Sequence, residues 1–316
     1  MREGRVADLG RIVVALGILI LLSALTGTSV AMAIRAWPQA DPALAATGAV
    51  GEQLGQQPWI RRFLRARLDP RVATGLALTV AMVGLVVAGT ILGLLAYMVR
   101  TNSGVVRLDL RVARWASTHV TGVSFQVIRA ITQLGSTPST VLVALVVAGY
   151  GVWRWRRASV FWFMACVVGG EVALMNLVKF LVGRARPDIL PLTGFSGASF
   201  PSGHASAAAS AFAAVALVLS RGRSPRVRAV VSGIAVALAV AVASSRVLLG
   251  VHWFSDVIGG LVLGWAWVAI CSIAFGGRLL RFGAPGEIAA STPPGGSDLP
   301  GSDAGRTPHV RSGRPG

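Results

Sequence analysis

Long apolar runs alternate along this chain with short polar connections that carry most of its arginines. A bilayer core takes about 20 apolar residues per helix. Seven runs meet or approach that length: Ile12 to Ile34, Ala73 to Val99, Thr137 to Trp153, Ser159 to Val182, Ala205 to Leu219, Ala229 to Ala243 and Trp253 to Phe275. Because a lipid-exposed backbone must satisfy its hydrogen bonds internally, the pattern predicts an all-α, polytopic membrane helix bundle. The fifth and sixth runs are short and need polar residues at their ends to complete a span.

Between the second and third runs, Leu108 to Leu134 mixes apolar positions with Arg111, Arg114 and Arg129 and includes Trp115 and Phe125. That mixture reads as one or two amphipathic helices lying in the membrane interface. From Gly283 onward Gly, Pro and Ser dominate and large apolar residues are scarce, so no core can form there. The expected division is residues 1–72 for an N-terminal transmembrane helix and its amphipathic connection, 73–275 for the main membrane domain, and 276–316 for a disordered cytoplasmic tail.

Composition agrees with the pattern: 316 residues that are 54% hydrophobic and only 13% charged are too apolar for a soluble domain of this size. A net charge of +18 would suit a nucleic-acid binder, but the arginines sit in short runs between apolar segments and not along one soluble face. No nucleic-acid partner is expected. Cys166 and Cys271 fall inside apolar runs and are expected to pack as small hydrophobes without a disulfide.

Arginine also sets the expected orientation, since short cytoplasmic loops collect Arg and Lys. RRFLRAR before the second run, RWRR, RGRSPRVR and GGRLLR mark one side, which puts Gly183 to Pro201 and Ser244 to His252 together on the extracytoplasmic side. Seven spans with a cytoplasmic C-terminus put the N-terminus outside, although MREGRVADLGR is mildly basic. A signal peptide cleaved near Ala31 to Ala33 is the alternative, and the length of the apolar run speaks against it.

Polar residues that interrupt membrane helices are costly and usually functional. Three such interruptions fall on the expected extracytoplasmic side. The first joins Lys179 to Arg186 and Pro187 at the end of the fourth run, where ammonium and guanidinium can converge on one anion. The second, SFPSGHASA, bends at Pro201 and then starts a helix, so the N–H groups of Ser202 and Gly203 can face an anion beside His204. The third, SRVLLGVHWFSD, carries Arg246, His252 and Asp256. At helical spacing the carboxylate of Asp256 can hold one ring nitrogen of His252 and leave the other as a nucleophile. Taken singly, each has a plainer reading: a snorkelling lysine, a capped helix and a structural His–Asp pair. Together they gather two of the chain's four histidines with three cations, which is what phosphoryl transfer requires. The only nearby carboxylates are Asp188 and Asp256, so no metal and no other cofactor is expected.

These residues resemble the type 2 phosphatidic acid phosphatase family of the acid phosphatase and vanadium haloperoxidase superfamily. The signature K-x6-RP, PSGH and SR-x5-H-x3-D reads here KFLVGRARP, PSGH and SRVLLGVHWFSD without departure. The resemblance covers about Ala73 to Phe275 and implies a six-helix core, with Ile12 to Ile34 as an additional helix. It implies that His252 attacks phosphorus to form a phosphohistidine, that Asp256 orients it, and that His204 protonates the leaving oxygen. Lys179, Arg186, Arg246 and the N–H groups of Ser202 and Gly203 would hold the phosphate. The expected activity is metal-independent hydrolysis of a lipid phosphomonoester or diphosphate in a bacterial plasma membrane, with polyprenyl diphosphate, phosphatidic acid and phosphatidylglycerol phosphate as the options.

Two alternatives stay open at this level: a phosphotransferase using the same phosphohistidine, and a non-catalytic lipid-binding or transport protein on the same fold. A vanadate-dependent peroxidase is expected to be soluble, which the apolar runs oppose. Outside the clusters, Glu171 is expected to pair within the bundle or face a water-filled cavity, Asn176 lies in the same run, and His119 and His309 stand without partner residues. Trp153, Trp155 and Trp253 read as interfacial anchors. Lys179 is the only lysine among 30 basic residues, which points to a position that wants a compact ammonium and not a planar fork.

Overall fold

The computed structural model of the chain describes residues 2–36, 73–120, 122–188 and 197–279. All secondary structure among the described residues is helical: α1 (Arg2–Ala36), α2 (Ala73–Arg100), α3 (Val105–His119), α4 (Gly122–Gln133), α5 (Thr137–Trp155), α6 (Ser159–Val182), α7 (Gly203–Leu219), α8 (Pro225–Leu248) and α9 (Phe254–Leu279). Residues 276–279, expected to open the tail, continue α9; the rest of the expected tail with His309, and the RRFLRAR connection, lie outside the described residues.

Local chemistry accounts for several helix ends. Ser224 caps α8 by accepting the Val227 N–H at 3.5 Å, and Pro225, which has no N–H to lose, opens its first turn. Gly183 ends α6 in the left-handed conformation at φ +61° and returns its N–H to the Lys179 carbonyl at 3.0 Å. The chain thus turns sharply just beyond Lys179 and presents Arg184 and Arg186.

Among the described residues five helices are long and apolar enough to cross a membrane alone, over Val13–Ala33, Val83–Arg100, Ser159–Val182, Pro225–Leu248 and Phe254–Phe275. The third and fifth expected spans differ from that simple form. The third needs α4 as well: Val123–Gln133 and Thr137–Trp155 qualify only as a pair, bent by 46°. The fifth, α7, has 17 residues and begins at the polar Ser202–His204 turn, so it falls short of a full crossing. The segment between the second and third runs, expected as one or two amphipathic helices, forms α3 and α4, the second of which joins the bent pair.

α7, α8 and α9 pack on one another, α6 joins α7 and α9, α5 lies against α6, and α1 runs along α8. Small residues bring the backbones close, as is common where lipid supplies no hydrophobic drive between helices. A Cβ added at Gly260 of α9 would meet the Ser202 carbonyl of α7 at 2.5 Å, and one at Gly27 of α1 would meet the Gly233 carbonyl of α8 at 2.6 Å. Outward faces stay apolar, with Trp162 62% and Phe180 85% exposed, as lipid-facing positions should be. The thiols of Cys166 and Cys271 are both free, with sulfurs 3.7 Å apart between α6 and α9.

Chain direction sorts the connections onto two sides. The α2–α3 and α4–α5 turns, residues 183–188 and 197–202, and residues 249–253 share the side that holds the polar clusters, whereas the turns at 156–158 and 220–224 face the other. The three motifs meet on this one side of the bundle.

Candidate active site

His252 lies in the bend between α8 and α9, 2% exposed, and Asp256 lies in the first turn of α9. The histidine is not itself helical, contrary to the shared helix face expected from the spacing. The four-residue offset still brings Nδ1 to 3.4 Å from Asp256 Oδ2, because the bend leads directly into the helix. Oδ2 also accepts the Trp253 N–H at 2.9 Å and the Ser199 hydroxyl. Ser199 Oγ stands 3.4 Å from His252 Nδ1, so it sits beside the His–Asp contact.

On the other edge of the ring, Arg186 Nη1 lies 3.3 Å from Nε2 and 3.0 Å from the Val251 carbonyl. A guanidinium can only donate, so Nε2 must accept and the ring proton belongs on Nδ1, facing Asp256. Burial pushes the imidazole down to about 4, against the pull of Asp256 through hydrogen bond and charge, so the ring is neutral near pH 7. A neutral ring with its Nε2 unprotonated is what a phosphoryl acceptor requires.

Lys179 comes from the last turn of α6, half-buried, and Arg246 from the last turn of α8, 2% exposed, with Nη1 donating to Thr132 Oγ1 of α4 at 3.1 Å. His204 stands in the first turn of α7 within the electrostatic reach of Arg246, His252, Lys179 and Arg186. Lys179, Arg186, Arg246, His204, His252 and Asp256 are therefore brought together from four helices and two connections. The turn before α5 helps fix this arrangement, since a Cβ at Gly135 would meet the His204 carbonyl at 2.7 Å.

One expectation needs correcting. The Ser202 N–H does not face an anion: it donates to the Asp256 carbonyl at 2.9 Å, tying α7 to α9, and Ser202 is fully buried. Gly203, which opens α7, keeps the expected first-turn geometry, where N–H groups have no partner inside their own helix.

The sequence reading missed Asp109, Arg184, Ser199 and Ser255. Arg184 Nη1 donates to Asp256 Oδ1 at 2.7 Å and its Nη2 to Asp109 Oδ2 at 2.8 Å. With two carboxylates around it, Arg184 is committed to the protein, while Lys179, Arg186 and Arg246 surround the histidines. The available signal was Asp109 itself, a single carboxylate on an arginine-bearing amphipathic helix. Glu171 is 2% exposed on α6, within the electrostatic reach of Lys179 and Ser206.

Comparison with known proteins gives these residues a context. The family model of the PAP2 superfamily matches residues 159–279. Phosphatidylglycerophosphatase B of Bacillus subtilis (strain 168) is 37% identical over 144 residues, 44% of this chain and 69% of the relative. Lipid A 1-phosphatase of Rhizobium johnstonii is 38% identical, and the match covers 34% of this chain and 43% of the relative. Decaprenylphosphoryl-5-phosphoribose phosphatase of Mycobacterium tuberculosis is 38% identical over 34% of this chain and 56% of the relative. Among solved structures, a transmembrane PAP2 type phosphatidylglycerolphosphate phosphatase from Bacillus subtilis superposes with a TM-score of 0.58 at 27% identity, covering 63% of this chain and 98% of that one. With its motifs gathered in a helical bundle and a relative matched over two thirds of its length, the chain belongs to the PAP2 superfamily, as a multi-pass membrane protein of the type 2 phosphatidic acid phosphatase family.

Proposed function

We propose that the chain hydrolyses a lipid phosphomonoester or diphosphate by transferring the phosphoryl group to Nε2 of His252. The observation that carries this reading is the buried neutral histidine, its Nδ1 proton turned toward Asp256 and its Nε2 lone pair turned toward Arg186 among two further cations. Lipid phosphatase is also the class that the three matched relatives share by name.

In the first step Nε2 attacks phosphorus in line, the bond from phosphorus to the lipid oxygen breaks, and His204 gives that oxygen its proton. Asp256 stabilises the positive charge that develops on the ring. Water then attacks phosphorus, the P–N bond breaks, and the water's proton returns to His204. Lys179, Arg186 and Arg246 stabilise the charge on the equatorial oxygens, where phosphoryl transfer is most demanding. Arg186 Nη1 lies within hydrogen-bond distance of Nε2, so the oxygens of the substrate must draw it aside before attack.

The acyl or prenyl chain stays in the bilayer while the headgroup reaches the connections between helices. Phosphatidylglycerol phosphate is the first substrate to test, because it matches the names of the Bacillus relative and of the solved structure; phosphatidic acid and polyprenyl diphosphate follow. Phosphate release from all three should be compared in detergent micelles with chelator present. Turnover that persists with chelator and disappears in His252→Ala is the expected result. Complete loss with chelator would overturn the metal-independent reading, and substantial turnover by His252→Ala would mean the nucleophile lies elsewhere.

A further inference from the structure

We infer that Asp109 is a positioning residue for the reaction, acting through Arg184 and Ser255 to keep one oxygen of Asp256 turned toward His252. This inference deepens the phosphohistidine reading and rests on it. Asp109 comes from α3, outside the segment that matches the family, and its side chain is fully buried.

Both of its oxygens are used. Oδ1 accepts the Ser255 N–H at 2.8 Å, and Oδ2 accepts the Ser255 hydroxyl at 2.6 Å and Arg184 Nη2 at 2.8 Å. The Ser255 N–H belongs to the first turn of α9, where no carbonyl of the same helix can reach it. Asp109 therefore caps α9 from a different helix, placing a negative charge at its positive end. The residue after Ser255 is Asp256, so this cap fixes the turn that carries the catalytic carboxylate.

The second contact determines how Arg184 divides its two prongs. A guanidinium facing a lone carboxylate prefers the bidentate arrangement, with both nitrogens on both oxygens. Here Nη2 is held by Asp109, and Nη1 reaches only Oδ1 of Asp256 while also donating to Ser255 Oγ at 2.7 Å. Oδ2 of Asp256 is left to Ser199, the Trp253 N–H and His252. Without Asp109, the fork would close on both oxygens of Asp256 and draw Oδ2 away from the imidazole. The ring would lose the partner that sets its tautomer and stabilises its charge in the transition state.

Asp109→Ala in the full chain, purified in detergent, is expected to lower kcat about 10- to 100-fold with KM changed less than about twofold, as for partners that orient a reacting group without touching substrate. Arg184→Gln leaves Asp109 and Asp256 as two buried carboxylates without their shared cation, and its loss should be larger. Combining Asp109→Ala with Arg184→Gln removes the repulsion and should recover at least about tenfold over Arg184→Gln alone, a non-additivity that a purely structural role would not produce. Losses that simply multiply, or Asp109→Ala turnover within about twofold of wild type, would overturn the inference. Should Asp109→Ala give no monodisperse protein, Ser255→Ala decides: it keeps the N–H contact but removes the hydroxyl that both Asp109 and Arg184 use, and an unchanged kcat would reject the inference equally. His252→Ala measured beside these variants reports separately on the nucleophile, so failure of the underlying reading is told apart from failure of this one.

Discussion

Burial holds the His252 imidazole well below its ordinary range, at about 4, and Asp256 opposes that shift without reversing it. The nucleophile proposed at His252 must be unprotonated, and its neutral form persists from pH 7 downward and is lost only as pH falls through about 4. The acid limb of phosphoenzyme formation should therefore lie near pH 4, and rapid-quench rates that already halve near 6.5 would show a solvated ring instead. At Lys179 the compact ammonium extends from the last helical turn before Gly183. Replacing it with the bulkier planar fork in Lys179→Arg should cost about tenfold in kcat/KM despite unchanged charge, measurable by steady-state kinetics on micelles. Lys179, Arg186, His204, Arg246, His252 and Asp256 were legible in the sequence because each sits in a motif of fixed local spacing. Asp109 and Arg184 were not, because their contact joins positions 75 residues apart and the Asp109 contact with Ser255 spans 146. Ser202 was misread for a related reason: a helix start announces unpaired N–H groups, but only tertiary packing reveals that the Asp256 carbonyl takes one of them.

Helix packing decides whether those residues meet. α7 carries His204 and α9 carries Asp256, and their separation is set at Gly260, where even a methyl group would press on the Ser202 carbonyl. Gly260→Val should force the helices apart, lowering thermal stability in detergent by about 1 to 3 kcal/mol and kcat with it. A stable, fully active variant would show that the close approach is dispensable. The apolar runs fixed the existence of every long helix, but their ends were set by chemistry that periodicity does not carry. α8 begins at Pro225 and not at Ala229 because Ser224 and Pro225 form a cap and first turn, and α7 begins at Gly203 because Ser202 is held against α9. The bend between α4 and α5 was hidden because Gly135 lies in what reads as a simple loop, although it packs against the His204 carbonyl.

For the molecule as a whole, the polar residues lie on one side of an apolar bundle, and the distribution of arginine leads us to propose that this side is the exterior. Ser103, exposed in the α2–α3 turn, and Gly222, in the α7–α8 turn, lie on opposite sides. A cysteine introduced at Ser103 in intact cells should react with an impermeant maleimide, and one introduced at Gly222 only after permeabilisation; the reverse pattern would place the phosphate site in the cytoplasm. Cys166 and Cys271, replaced by alanine in both variants, remove the background. The family match begins at Ser159, and that segment contains every group proposed to touch phosphate. What steadies those groups comes from earlier in the chain: Thr132 on Arg246, Gly135 beside His204, and Ala15 and Leu19 of α1 clustered with Leu248, Leu249 and Val251 around the bend that leads to His252. A chimaera that transplants only the matched segment into another bundle would thus inherit the reagents without their jig, and exchanges between relatives should cut before α1 to carry the chemistry across intact.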